Sequence, residues 1–372
     1  MSKFILIIAR SGRQLAEAAR ACGYEPLVVD LFGDMETEIA CRTHITLRPR
    51  HDFNFDVLSV DEAVRSIRSS YGAMTLVWGS GLEAQPHVLA ALARRWDIVG
   101  CSVATFFKVN DPRTFSRALA AHHIRTPRFA FGKLPKKGRW LLKHRGSCGG
   151  FGVTRTNKPR FPGQREYFQH EHIGVHLSAA FIVSSGSVLL LGVCEALNLQ
   201  PHPELPYRFS GAIAVPQWFY RLRIELTKMV EKLHDAFTLR GLCGIDFIID
   251  GDGNISLIEL NARPPATFGL LAQPEHVFEA HLKADSLVHA SLPAVAQVRA
   301  MAVCYAERPI LVTKTLNWPH WVTDRPRIRT CLLPGMPVCS ISAAAATVAD
   351  TRRKLENRVA ELRDRLNNEL PN

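Results

Sequence analysis

The densest run of chemistry-bearing side chains lies between Asp246 and Arg263. Two β-rich runs, Ile245 to Asp250 and Ile255 to Leu260, flank Gly251-Asp252-Gly253-Asn254, the signature of a β-hairpin. Residues two apart on a strand project from one face. Glu259 and Asn261 therefore share a face, and the turn brings Asp246 within reach of it. Two carboxylates and an amide oxygen make a hard, all-oxygen ligand set, the kind Mg²⁺ prefers when it is shared with nucleotide phosphates. Arg263 lies on the same side and offers a forked donor to phosphate or carboxylate. The alternative is a solvent-facing hairpin whose acids are merely solvated. Its apolar neighbours, among them Ile245, Phe247, Leu257 and Leu260, point instead to an inner sheet, where unpaired acids are costly.

A second constellation is Lys143-His144-Arg145-Gly146-Ser147-Cys148-Gly149-Gly150-Phe151-Gly152. A strand delivers a lysine, and a loop with four glycines follows. Such a loop can fold its N–H groups over phosphates while lysine supplies a point charge. It is no Walker A loop, because no Gly-Lys-Ser/Thr follows the glycines. Alone it reads equally well as a mobile linker; about a hundred residues before an acidic hairpin it reads as a phosphate lid.

Other candidates have plainer explanations. Cys148 has no His–Asp arrangement to orient it as a nucleophile. His170, His172 and His176 lack the clear third-ligand spacing of a zinc site. His122-His123 ends a helix and suits a dipole partner. The first turn, Ala9 to Arg13, lacks the GxGxxG spacing of a dinucleotide site, although Asp30 ends the second strand.

The elements that must position these residues are legible in outline. Phe4 to Ile8 is an apolar run of the kind buried in a parallel sheet. A helix from Gln14 to Cys22, stopped by Gly23, and a strand from Pro26 to Asp30 complete a βαβ unit. A third strand, Met74 to Trp78, and a helix, Pro86 to Arg95, continue the pattern. Asp111-Pro112 opens a helix reaching about His122. Strands follow at Trp140 to Lys143, Tyr167 to Gln169, Leu177 to Ser184 and Val188 to Asn198, with a Ser185-Gly186 turn. Phe219 to Leu239 is an amphipathic helix punctuated by Gly241. Further strands lie near Met301 to Ala306 and Pro337 to Ile341. Val348 to Leu366 is a helix whose stripe of Leu355, Val359, Leu362 and Leu366 suits docking onto the body better than a coiled coil.

The 372 residues exceed one small domain. No apolar run approaches the ~20 residues that span a bilayer, and no signal peptide is expected. The nine cysteines are dispersed, with no CxxC pair, which fits a reducing cytoplasm. A net charge of +12 admits nucleic acid, a membrane surface or an anionic substrate. The basic residues are spread along the chain, with no zinc-finger or RNP-type pattern, so neither nucleic acid nor membrane is expected as a partner.

Lys143 with its glycine loop, the strand-and-hinge segment Gln169 to Gly174, and Asp246…Glu259-x-Asn261-x-Arg263 resemble the ATP-grasp superfamily. More narrowly, the chain is similar to carboligase-like proteins related to biotin carboxylase. The similarity covers nearly its whole length, including a tail with Asp324-Arg325-Pro326 and Pro334-Gly335-Met336-Pro337. The resemblance implies an α/β fold, α+β in the grasp region. A Rossmann-like pre-grasp domain spans 1–105. An ATP-grasp domain spans 106–295, with a lid at about 125–185 and the metal hairpin at 245–263. An extension with a terminal helix fills 296–372. It further implies that Lys143 and Gly146, Ser147, Gly149 and Gly150 hold ATP phosphates, and that Gln169, His170, Glu171 and His172 meet adenine. Asp246, Glu259 and Asn261 would hold one or two Mg²⁺ ions. Arg263 would act with Lys143 in catalysis, and Arg208 would take a substrate carboxylate. Gln169 and Asp246 replace an acid and a Glu of many relatives, and Pro112 replaces a phosphate-binding lysine. Lys108 or Arg113 would then have to compensate.

The implied activity is an ATP- and Mg²⁺-dependent carboxylate–amine ligase acting through an acyl phosphate, as a monomer or a homodimer. The nearest look-alikes belong to one-carbon metabolism dependent on tetrahydromethanopterin or methanofuran, which implies a place in cofactor biosynthesis. A non-catalytic ATP-binding sensor or scaffold, and a basic nucleic-acid-binding protein, are the competing readings.

Overall fold

The structure, a computed structural model, describes residues 3–48, 54–184, 186–284, 295–313 and 316–369. The first region is a parallel sheet of β1 (Phe4–Ile8), β2 (Glu25–Asp30), β3 (Thr43–Thr46), β4 (Thr75–Trp78) and β5 (Asp97–Ile98), in the order β3-β2-β1-β4-β5. Helices α1 (Arg13–Ala21), α2 (Met35–Ala40), α3 (Val57–Tyr71) and α4 (Pro86–Ala93) connect these strands. The strand expected as third is thus the fourth. β3 carries only four half-buried or exposed residues and shows no apolar run. Asp30 is fully buried and accepts from the Gly12 and Gly33 N–H groups, each at 3.1 Å, while His44 Nε2 lies 2.9 Å away. Its carboxylate braces the first turn from within.

α5 (Val103–Asn110) and α6 (Pro112–Ala121) lead out of this region. Asp111 caps α6, accepting from the Thr114 N–H at 2.8 Å, and proline fits the first turn because its missing N–H would have had no partner there. A separate antiparallel sheet, ordered β6-β9-β7-β8, follows from β6 (Phe129–Ala130), β7 (Trp140–His144), β8 (Val153–Thr156) and β9 (Glu166–His170). It packs around Trp140, Leu142 and Phe168.

The central sheet begins with β10 (Val175–Ser184), β11 (Ser187–Ala196) and β12 (Gly211–Ala214), then α7 (Pro216–Phe237), β13 (Gly241–Ile249) and β14 (Ile255–Asn261). Ser185, half of the expected turn, lies outside the described residues. α8 (Phe268–Leu271) and α9 (Pro274–Leu282) precede β15 (Val298–Tyr305), β16 (Ile310–Leu311), β17 (Val322–Thr323), β18 (Cys331–Leu332), β19 (Pro337–Ala345) and α10 (Val348–Glu369). β16 and β18 pair by themselves, while the other strands form one eight-stranded sheet, ordered β14-β13-β10-β11-β12-β15-β19-β17. The C-terminal strands therefore continue the sheet of the hairpin through the β12–β15 pair.

α7 does not end at Gly241. Thr238, with a left-handed φ of 53°, caps it, and Gly241 starts β13. Glycine is required there by a φ of 72° and by His281, whose Nδ1 would stand 2.4 Å from a Cβ. The α10 stripe of Leu355, Val359, Leu362 and Leu366 is buried in the main core, against β15 and β19. Among the described residues no helix is long and apolar enough to cross a membrane. Leu355 is fully buried, so Leu355→Ala is expected to cost about 2–5 kcal/mol of unfolding free energy, read as a lower midpoint in chemical denaturation.

Candidate active site

The hairpin register sets the geometry. Asp246 on β13 stands opposite Glu259 on β14 and, on its other side, opposite Ser178 on β10. Directly paired residues project from the same face, so Ser178, Asp246 and Glu259 form a row across three strands. Ile245 and Phe247 turn the other way, into the core. Asn261 Nδ2 donates to Asp246 Oδ2 at 2.8 Å, which leaves the amide oxygen for another partner. Burial and then the neighbouring Glu259 push the Asp246 carboxyl up to about 7. Burial also raises Glu259. Two half-buried carboxylates held side by side next to an amide oxygen fit a divalent cation. Among the described residues no three His, Cys, Asp or Glu side chains cluster as a metal site. A carboxylate pair with an amide oxygen suits Mg²⁺, which takes one or two carboxylates plus phosphates and water rather than an all-protein cage.

Lys143 comes to this pair from the separate sheet. On β7 it pairs with Tyr167 of β9, and its Nζ donates to Gln169 Oε1 at 3.2 Å. Burial works against its charge, but Tyr167, Glu259 and Asp246 outweigh it and raise the lysine pKa. Lys143 is thus held as a cation facing the hairpin. Arg263 is engaged elsewhere: its Nε donates to Glu83 Oε1 at 2.5 Å, and its Nη1 to the Pro264 carbonyl at 3.1 Å. Burial would raise Glu83, yet Arg263 and Arg10 hold it below the usual carboxylate range. The Gly81 N–H adds a bond to Glu83 Oε2 at 2.6 Å. Sequence analysis missed Glu83. Its position past the carboxyl end of a parallel strand, where α/β sheets place ligands, was the available signal.

The glycine loop is packed down between two backbones. A Cβ on Gly146 would stand 2.4 Å from the Glu83 carbonyl oxygen, and one on Gly150 only 1.7 Å from the Tyr207 carbonyl oxygen. The Phe209 N–H donates to the Gly149 carbonyl at 2.9 Å, and Ser147 Oγ donates to the His144 carbonyl at 2.9 Å. Cys148 is buried, and burial pushes its thiol up to about 11, away from a nucleophilic thiolate.

The hinge residues divide. Gln169 is buried, and its Nε2 has no hydrogen-bond partner. His170 packs edge-on to Trp140 at 5.3 Å, and His172 Nε2 lies 3.2 Å from Ser256 Oγ. Glu171 takes Arg155 at 2.7 Å and the Tyr207 hydroxyl at 2.8 Å. Neither substitute for the lysine missing at Pro112 sits where the sequence suggested. Lys108 is exposed on α5 and does not line the cavity described below, and Arg113 lies over the Phe131 ring at 4.5 Å. The basic group beside Asp111 is Arg145, at 3.1 Å. Arg208 is buried with its guanidinium 3.9 Å over the Tyr305 ring, its Nη2 3.5 Å from the Gln200 carbonyl and its Nε unpartnered.

A cavity of about 1600 Å³ opens on the hairpin. Asp246, Glu259, Asn261 and Arg263 form one wall, Gly149, Gly150 and Arg208 another, and it runs on to β19 and α10. Lys143, Gly146, Ser147 and the Gln169 to His172 segment do not line it. The candidate residues thus sit on two sides of the acid pair: a lysine and hinge side, and an open side with Arg208.

Residues 109–267 match the family described as ATP-grasp domain. N5-carboxyaminoimidazole synthetase from Staphylococcus aureus complexed with ADP superposes with a TM-score of 0.69 at 12% identity, over 96% of this chain and 99% of that one. Campylobacter jejuni biotin carboxylase, in a β,γ-ATP complex, gives 0.70 at 13%, over 95% and 90%. The L-amino acid ligase from Bacillus licheniformis gives 0.69 at 15%, over 98% and 97%. No curated protein sequence matches. The segment 109–267 is thus similar to the ATP-grasp domain, and the chain has the ATP-grasp fold.

An acid whose pKa is raised on folding destabilises the folded state as pH climbs from its unfolded value through its folded one. Without a divalent cation, the Asp246 contribution is therefore expected to fall between about pH 4 and 7. Thermal melts should show Mg²⁺ raising the midpoint more at pH 8 than at pH 5. Asp246→Asn should erase that difference.

Proposed function

We propose that this chain is an ATP- and Mg²⁺-dependent carboxylate–amine ligase that works through an acyl phosphate. The observation that carries the reading is the cross-strand Asp246–Glu259 pair with Asn261, faced by Lys143 and bordered by a docked glycine loop. Asp246, Glu259 and Asn261 would hold Mg²⁺, which when bound neutralises phosphate charge. Lys143, kept cationic by its neighbours, adds charge stabilisation for the transferring phosphoryl group. The unpartnered Gln169 Nε2 is a donor for the nucleotide base. Arg263, fixed by Glu83, presents its remaining donors to the acyl phosphate. The loop at Gly146 to Gly150, packed on the Glu83 and Tyr207 backbones, keeps water from that intermediate until an amine displaces the phosphate.

The solved neighbours support the nucleotide half of this reading, since two of them are complexes with ADP and with β,γ-ATP. An amino acid ligase among them supports amide formation. The nine free thiols suit a reducing compartment, in keeping with a cytoplasmic enzyme. A place in one-carbon carrier biosynthesis rests on the sequence resemblance alone. The sensor alternative draws on Pro112, and nucleotide binding without turnover would favour it.

Incubation with ATP, Mg²⁺ and pooled acids and amines should release ADP and phosphate together with an amide detectable by mass spectrometry. Glu259→Gln should lower that rate by about 10²–10³-fold, with circular dichroism unchanged. Normal turnover in this variant would remove the metal assignment.

A further inference from the structure

Nine basic and four acidic side chains line the cavity, and the acids are all engaged. Asp246 and Glu259 form the candidate metal pair, Asp324 is held by Arg13 at 2.6 Å, and Glu195 by Arg352 at 3.0 Å. Several cations, by contrast, have no carboxylate partner among the described residues. Arg208 is buried over the Tyr305 ring. Arg299 donates to the carbonyls of Gly269 and Ala272 and to the Gln273 amide. Lys354 Nζ donates to the Ala344 carbonyl at 3.1 Å. Arg358 donates to the Ser342 carbonyl, with its guanidinium 5.2 Å over the Trp321 ring. Glu361, the acid whose charge acts on Arg358, is paired with Arg365 at 3.0 Å.

Lys354 and Arg358 are four apart on α10 and both line the cavity, so they lie on one helix face. They stand beside the C-terminal part of β19, far from the hairpin. Four strands, β10, β11, β12 and β15, separate β13 from β19, which at ~4.8 Å per strand is about 24 Å along the sheet. A volume of about 1600 Å³ is also larger than the roughly 300–1,000 Å³ of ordinary small-ligand pockets. Arg208, buried without a counter-charge, favours an anionic ligand, because an unpaired buried cation is costly, while the exposed Lys354 and half-buried Arg358 present their charges at the open end of the cavity.

We infer that the open side of the cavity takes an elongated substrate bearing at least one anionic group remote from its reacting end, gripped by Lys354 and Arg358 with Arg208 along the way. This rests on the ligase reading for the reacting end, while the remote grip is a binding property measurable without turnover. Carboxylate and phosphate would both satisfy these two side chains.

The experiment saturates the protein with MgADP, then titrates acetate, tricarballylate and inorganic phosphate calorimetrically at constant ionic strength and free Mg²⁺. Tricarballylate or phosphate should bind at least tenfold more tightly than acetate, and the tighter of the two names the remote group. Lys354→Gln/Arg358→Gln should weaken that binding about tenfold while leaving the MgADP affinity unchanged. Arg353→Gln, which removes an exposed charge of the same helix paired with Asp350, should change neither. Anion affinity no better than acetate, unchanged in the double variant, or lost equally in Arg353→Gln, overturns the inference. Failure to bind MgADP would instead count against the ligase reading.

Discussion

The constraint on which the site depends is the forced closeness of two half-buried carboxylates. The hairpin register sets Asp246 against Glu259, over a packed apolar core on one side and the cavity on the other. A folded chain tolerates that arrangement by protonating one acid or by surrounding the pair with cations. Here both responses are visible. Burial and Glu259 raise Asp246, while Lys143 and Arg263 lower the cost of charging Glu259. Lys143 arrives from a different sheet, so the relative placement of the two sheets becomes part of the electrostatics.

The same logic reaches the first region. Arg263 could have neutralised the pair directly, but Glu83 holds its Nε. Breaking such a buried pair by removing one partner typically costs about 3–5 kcal/mol. The turn carrying Glu83 also supports Gly146, so one short segment positions both Arg263 and the start of the loop. On the loop's other flank, Phe209 holds Gly149, and the adjoining Arg208 faces the cavity. The segment 207–209 therefore connects the loop to the open side.

What could be read from the sequence follows from the range of the interactions. The hairpin was legible because its strands are consecutive and its turn residues are specific. The α10 stripe and the Asp111 cap were local patterns as well. Glu83 pairs with a residue 180 positions away, and Arg145 meets Asp111 across 34. No local periodicity announces either. β3 was missed because its four residues are only partly covered, and the end of α7 was misplaced because Thr238, not a glycine, adopts the left-handed cap. Lys108, near Pro112 in sequence, is exposed on α5 and, like Lys143, lies outside the cavity lining.

The central claim is that Asp246 and Glu259 are built to share a cation with a nucleotide. Its most direct test is the dissociation constant of ADP measured with Mg²⁺ and with EDTA, in the wild-type chain and in Glu259→Gln. The account predicts that Mg²⁺ tightens ADP binding at least tenfold in the wild type and has little effect in the variant. Equal ADP affinity with and without Mg²⁺ in the wild-type chain would contradict it.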